Sequence, residues 1–345
     1  MNNPRNIPID EKVRFLRAPS AYGLPAGAEV EVRETHLSWV FLAGDHVYKL
    51  KKPARYDFLD FSTLAARESN CREEVRLNRR LAENVYLGVV PLTLGADGEM
   101  AIGGQGPPVE WLVLMRRLPE ESMLDQVIRM NRVDREKIIA AADRLADFYK
   151  HAPPAELTQA SYIEHFIREH GVNRAVLTNP AFDLDGAHVT KILDGIENIL
   201  STQSGLLAAR VESGRVVEGH GDLRPEHVCL NTPPVIIDCL EFNRLFRLTD
   251  PADELTFLGL ECELLGAGWI GPVLLERYRQ QLGDSPPAKL LAFYRNFRAC
   301  LRARLSLVHI LEHDQRKPEH WLPLARRYLQ LAAADALTPG LPEVH

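Results

Sequence analysis

His220-Gly221-Asp222-Leu223-Arg224-Pro225-Glu226-His227, followed by Val235-Ile236-Ile237-Asp238, is the stretch that decides how this chain is read. Its two aspartates stand on either side of two short apolar runs, Val228 to Leu230 and Val235 to Ile237, which suit a brief hairpin. A loop would present Asp222, the hairpin would turn the chain back, and Asp238 would emerge at its end, so that both carboxylates are expected to face one cleft. Phosphoryl transfer to a hydroxyl needs one carboxylate to orient the hydroxyl and accept its proton, and a second to hold a divalent cation against the phosphates. Asp222 and Asp238 fit those two jobs.

Working outward, the first third of the chain reads as strands interrupted by one helix. Glu29 to Val32, Trp39 to Leu42 and His46 to Leu50 carry β-branched and aromatic residues, with a hairpin expected across Ala43 to Asp45. Ser62 to Ala82 suits an amphipathic helix with Ser62 or Thr63 near its N-cap. Val89 to Leu94 and Val109 to Met115 read as further strands. The remainder has helical spacing over Met123 to Met130, Arg135 to Lys150, Ser161 to His170, Ala187 to Arg210, from Asp253 onward, Leu274 to Leu282, Ala288 to His313 and Pro318 to Leu331. This asymmetry predicts an α+β, two-lobed chain: residues 1–119 as a β-rich N-terminal lobe and 120–345 as a mainly helical lobe that carries the Asp222 loop and an acceptor site.

The totals exclude several other classes. In 345 residues, 46% hydrophobic, there is enough apolar material for a large core. Five cysteines without a C-x-x-C pair argue against a disulfide framework or zinc ribbon and for reduced thiols in a cytoplasmic protein. Residues Met1 to Arg17 lack the apolar run of a secretory signal, and no stretch is apolar for long enough to predict a membrane span. A net charge of −6 argues against bulk binding to nucleic acid.

The His-Gly-Asp loop and the isoleucine-rich strand ending in aspartate resemble the aminoglycoside phosphotransferase family, which has the protein-kinase-like fold. More narrowly, the chain resembles an uncharacterised bacterial subgroup of it, through the runs Glu34-Thr35-His36-Leu37-Ser38-Trp39-Val40-Phe41, Tyr48-Lys49-Leu50-Lys51-Lys52-Pro53, Phe58-Leu59-Asp60-Phe61 and Ile237-Asp238-Cys239-Leu240-Glu241-Phe242. The resemblance extends from about Glu34 to about Leu305. It implies ATP and Mg²⁺ as cofactors and a small-molecule hydroxyl compound as acceptor, with ATP between the lobes. It implies that Lys49 contacts the ATP phosphates and that Glu74 pairs with it, with Glu73 the competing candidate. By the same resemblance Met115, in the run Val113 to Pro119, would fall in the connector whose backbone binds adenine in that family. Asp238 and the residue at His227 would be the metal ligands, with His220, Glu241 and Asp253 in support, Asp253 by hydrogen bonding the loop's backbone. Some members of the subgroup carry a further P-loop module, but G-x-x-x-x-G-K-[ST] does not occur here, which matches the phosphotransferase module alone.

One residue departs from the pattern. Protein kinases place a metal-binding asparagine five residues after the catalytic aspartate, and here that residue is His227. Three outcomes are open: His227 ligates through nitrogen, water or Glu241 takes over, or transfer has been lost and the chain is a nucleotide-binding pseudokinase. Two other motifs compete. Gly266-Ala267-Gly268-Trp269-Ile270-Gly271 has the spacing of a dinucleotide fingerprint, but helical spacing precedes it where a strand is required. His309-Ile310-Leu311-Glu312-His313 has the spacing of a zinc peptidase helix without an evident third ligand; two exposed histidines on a helix are the competing interpretation.

Overall fold

The structure, a computed structural model, describes residues 7–56, 59–311 and 318–332. The chain divides into two compact units, Met1–Met123 with His227–Phe246, and Leu124–Glu226 with Arg247–His345. Asp238 thus belongs to the first unit although it follows the Asp222 loop in sequence.

The first unit is built on β1 (Val30–Glu34), β2 (Ser38–Ala43), β3 (His46–Lys51), β6 (Tyr86–Leu94), β7 (Met100–Ile102) and β8 (Pro108–Arg116), with the two-residue pair β4 (Arg55–Tyr56) and β5 (Leu59–Asp60) apart from them. The six longer strands form one antiparallel sheet in the order β1-β2-β3-β8-β6-β7. The β2–β3 hairpin closes over Gly44-Asp45, since Ala43 faces His46, and Gly44 takes the positive φ of 58° that so short a loop demands. Val113 lies opposite Lys49 across β3 and β8.

Helices cover both faces of this sheet. Helix α2 (Leu64–Ala82) starts at Thr63, whose hydroxyl accepts from the Ala66 N–H at 3.1 Å. Its buried stripe includes Cys71, Glu74, Val75, Asn78 and Leu81, the spacing of one helix face. Cys71 and Val75 pack with Val113, Met115 and Tyr86. Against the other face, Val13 and Leu16 of α1 (Ile9–Leu16) join Phe41, Leu50 and Leu112. The sequence pattern had not marked α1 as a helix. Its polarity is tolerated because Lys12, 6% exposed, donates to Val109 O at 2.8 Å and Glu110 Oε2 at 2.9 Å. Arg67 grips the same carboxylate from α2 at 2.9 and 2.8 Å.

The second unit comprises α3 (Leu124–Arg129), α4 (Arg135–His151), α5 (Gln159–Leu177), α6 (Gly186–Thr202), α7 (Gly205–Glu212), α8 (Pro251–Leu264), α9 (Ile270–Leu282), α10 (Ala288–Leu311) and α11 (Pro318–Leu331). Its core includes Phe166, Ile196, Leu260, Phe293 and Phe297. Helix α5 continues through Gly171 to Leu177, beyond the expected end at His170, because Asn173 and Leu177 remain on its buried face. The single helix expected from Ala187 to Arg210 is instead two, broken at Gln203 and Ser204. The glycines of the dinucleotide-like motif serve a helix crossing. Gly266 takes φ 97° just after α8, and a Cβ on Gly259 would lie 2.8 Å from Gly271 Cα in α9, so neither helix tolerates a side chain there.

Candidate active site

In the first unit a chain of alternating charges runs Glu241, Lys51, Glu74, Lys49, Asp238. Lys51 Nζ lies 2.5 Å from both Glu241 Oε1 and Glu74 Oε2, and Lys49 Nζ lies 2.9 Å from Glu74 Oε1 and 2.8 Å from Asp238 Oδ1. Lys49 and Lys51 share a face of β3 because alternate residues of a strand point the same way; Leu50 between them is buried in the opposite core. Glu74 enters from the buried stripe of α2, whereas Glu73 pairs with Arg76 on the exposed side at 2.7 Å. Lys51 was not singled out from the sequence as a site residue. It is 1% exposed and also lies 5.4 Å from the centre of the Phe61 ring.

Asp238 is held by its backbone. The turn from Val228–Cys229 to Val235–Ile236 pairs these two short strands, and Ile237 N–H donates to His227 O at 2.9 Å. Asp238 then takes φ 61°, unusual for a residue with a side chain. Its N–H donates to the Tyr86 hydroxyl at 3.1 Å, and the next N–H, of Cys239, donates to Asn78 Oδ1 at 2.8 Å. The hairpin thereby brings the His227 ring beside the aspartate, with Nε2 3.6 Å from Asp238 Oδ2.

Burial alone would strip these groups of charge, and their neighbours reverse that. For Glu74, burial acts to raise the pKa, but Lys49 and Lys51 outweigh it and hold the carboxyl below the ordinary glutamate range. For Lys49, burial acts to lower the pKa, but Asp238, Glu74 and Glu241 outweigh it and hold it well above the ordinary lysine value. A depressed carboxylate pKa contributes stability that is complete above its unfolded-state value and lost as pH falls through its folded-state value. The stability difference between wild type and Glu74→Gln should therefore be constant near neutrality and shrink only below the ordinary glutamate range. Urea unfolding of both proteins from pH 7 down to pH 3 checks this, and a difference independent of pH would contradict it.

In the second unit the Asp222 loop is shaped by a buried carboxylate. Glu254 of α8, 1% exposed, accepts from the N–H of His220 at 3.0 Å and from the N–H of Gly221, and the Tyr149 hydroxyl donates to it at 2.8 Å. Burial raises the Glu254 pKa even against these donors. A Cβ on Gly219 would collide with Glu254 Oε2, which explains the glycine before His220. Gly221 takes φ 88°, and Asp222 N–H donates to His220 Nδ1 at 3.3 Å, with Asp222 itself half-buried.

The loop-anchoring contact expected of Asp253 is thus made by Glu254. Asp253 instead binds Arg298 of α10 through two bonds of 2.8 and 2.6 Å. Helix α8 is buried on nearly every side, so its periodicity could not distinguish the two neighbours. Met115, in the last part of β8, faces Val47 on one side and Tyr86 on the other and is 9% exposed.

Four other carboxylates of this unit, Asp183, Asp185, Glu261 and Glu263, have separate surroundings. Glu261 is taken by Arg302 at 3.1 Å and by the Tyr328 hydroxyl, and Glu263 by Arg295. Asp185 caps α6, while Asp183 faces solvent. Arg302 lies where Glu261, Tyr328 and Asp222 together overcome the cost of burying its charge. Of the zinc-peptidase motif, Glu312 and His313 lie outside the described residues, and His309 stacks on Trp321 at 4.4 Å between ring centres.

No protein-family model matches the chain. Uncharacterised proteins of Mycobacterium tuberculosis and Mycobacterium bovis are each 33% identical to it over 323 residues, 91% of this chain and 62% of theirs. The chain therefore spans less than two thirds of those relatives' length. Among solved structures, a thermostable mutant of aminoglycoside phosphotransferase APH(4)-Ia in its apo form is similar with a TM-score of 0.54 and 12% identity, over 94% of this chain and 97% of that one. A further thermostable mutant of the same enzyme, in a ternary complex with AMP-PNP and hygromycin B, gives 0.51 and 12%, over 93% and 98%. A choline/ethanolamine kinase family protein from Mesorhizobium loti gives 0.51 and 14%, over 94% and 98%. The chain has the protein-kinase-like fold of these phosphotransferases, with a β-rich N-terminal lobe and a mainly helical C-terminal lobe.

Proposed function

We propose that this protein is a phosphotransferase that moves the γ-phosphoryl group of ATP to a hydroxyl of a small molecule. The observation that carries this reading is the charge ladder of the first unit, which fixes Lys49 and Asp238 side by side at 2.8 Å. Lys49, aimed by Glu74, binds and steadies the phosphates as a point charge. Asp238 and His227 fit a divalent cation: three carboxylates in the ladder outnumber its two ammonium groups, and one Asp238 oxygen faces the imidazole. Such a cation, Mg²⁺ by the sequence resemblance, would supply charge neutralisation at the phosphates. Asp222 orients the acceptor hydroxyl and takes its proton, on a loop that Glu254 keeps in one shape.

The likeness to a complex with AMP-PNP and hygromycin B, and to a choline/ethanolamine kinase family protein, supports a nucleotide donor and a small hydroxyl acceptor. Fold alone does not choose among acceptors. All five cysteines are buried and unbridged, which supports the reducing cytoplasm as its location. Among the described residues no helix is long and apolar enough to cross a membrane. Incubation with γ-labelled ATP and a panel of amino-sugars, amino-alcohols and simple sugars tests the reading: labelled product that requires ATP supports it. Nucleotide binding without any transfer across the panel would favour a pseudokinase.

A further inference from the structure

Within the proposed phosphotransferase reading, we propose that His227 is a nitrogen ligand to the nucleotide's cation, so that the site takes a first-row transition ion such as Mn²⁺ in preference to Mg²⁺. The position is the one where protein kinases carry an oxygen donor, the asparagine side chain. In this chain the imidazole Nε2 faces Asp238 Oδ2 at 3.6 Å, and the His227 side chain is only 12% exposed. The two carboxylate oxygens have separate neighbours, since Lys49 binds Oδ1 at 2.8 Å. The arrangement is fixed from below: the Ile237 N–H to His227 O bond ties the two backbones, and Tyr86 receives the Asp238 N–H.

The donor set determines the selectivity. Mg²⁺ is a hard ion that favours oxygen and sheds water reluctantly, and it is usually held by one or two carboxylates together with substrate phosphates. An imidazole contributes little to that ion. Affinity for mixed nitrogen and oxygen donors rises along the first transition row from Mn²⁺ onward. Among the described residues no group of three His, Cys, Asp or Glu side chains forms a self-sufficient metal cage. The phosphates must complete the shell, so selectivity falls to the protein's two donors.

The experiment is Mn²⁺ titration of the intact protein with ATP, read by electron paramagnetic resonance, with Mg²⁺ as competitor. It uses wild type, His227→Asn and Asp238→Ala, and wild type labelled with ¹⁵N-histidine. The proposal expects nitrogen hyperfine coupling on bound Mn²⁺ that changes with the histidine label and is absent in His227→Asn. It also expects the Mn²⁺-to-Mg²⁺ affinity ratio to fall at least about tenfold in that variant. Absence of histidine coupling in wild type, or an unchanged ratio in His227→Asn, overturns the inference while leaving the phosphotransferase reading intact, provided that binding is lost in Asp238→Ala. Binding that survives Asp238→Ala overturns the reading itself.

Discussion

On the proposed function, Asp222→Asn is expected to lower the rate of phosphoryl transfer by about 10²–10⁴-fold, the range of a lost general base, and to leave ATP-dependent stabilisation as it is in wild type. The substitution keeps the shape of the side chain, so the loop contacts made by Glu254 with His220 and Gly221 stay in place. What disappears is the ability to accept a proton from the acceptor hydroxyl. Lys49 and Asp238 do not change, and nucleotide affinity is therefore expected to persist. Single-turnover transfer from labelled ATP, measured beside the melting temperature with nucleotide, separates the two effects. A rate within about tenfold of wild type would mean that Asp222 is not the base.

Lys51→Met is expected to destabilise the protein by about 3–5 kcal/mol, the usual consequence of removing one member of a buried set of ion pairs. Glu74 is fully buried and keeps only Lys49 in the variant, while the Glu241 side chain, 9% exposed, loses its 2.5 Å contact. The neighbouring Lys52 offers an internal comparison. It pairs with Glu34, whose side chain is 58% exposed, and Lys52→Met should cost no more than about 1 kcal/mol. Urea unfolding of both variants reads the contrast directly. Adding Glu241→Gln to Lys51→Met should recover part of the loss by removing the carboxylate that Lys51 contacts at 2.5 Å in wild type. Equal effects at positions 51 and 52 would contradict the ladder as a buried structural unit.

The parts of the site legible in the sequence are those where chemistry is local. Asp222 and Asp238 stand in short loops whose residue types and order carry the signal, and the strand, helix and hairpin around Lys49, Glu74 and Asp238 follow from periodicity. Two ambiguities had an answer in the sequence that a stricter use of period supplies. Lys51 lies two residues from Lys49 on β3 and so must share its face, and Glu74 lies three residues from Cys71 on the apolar stripe of α2, whereas Glu73 does not.

Other features depend on partners far away in the chain. Glu254 rather than Asp253 anchors the loop because of how α8 is rotated, and a helix buried on nearly all sides has no polar face from which to read that rotation. Helix α1 packs against the sheet with its buried Lys12 satisfied by Glu110, nearly a hundred residues on. The Gly259 and Gly271 contact is likewise invisible to a motif search that sees only the glycine spacing.

The melting temperature of wild type and Asp238→Ala with millimolar ATP, with and without a divalent cation, reports directly on the proposed nucleotide and cation site. A ligand that binds only the folded protein at about one hundred times its Kd adds about 2.7 kcal/mol of stability. A rise of several degrees is expected in wild type, one that requires both ATP and the cation and is absent in Asp238→Ala. No rise in wild type, or the same rise in both proteins, would contradict the proposed site.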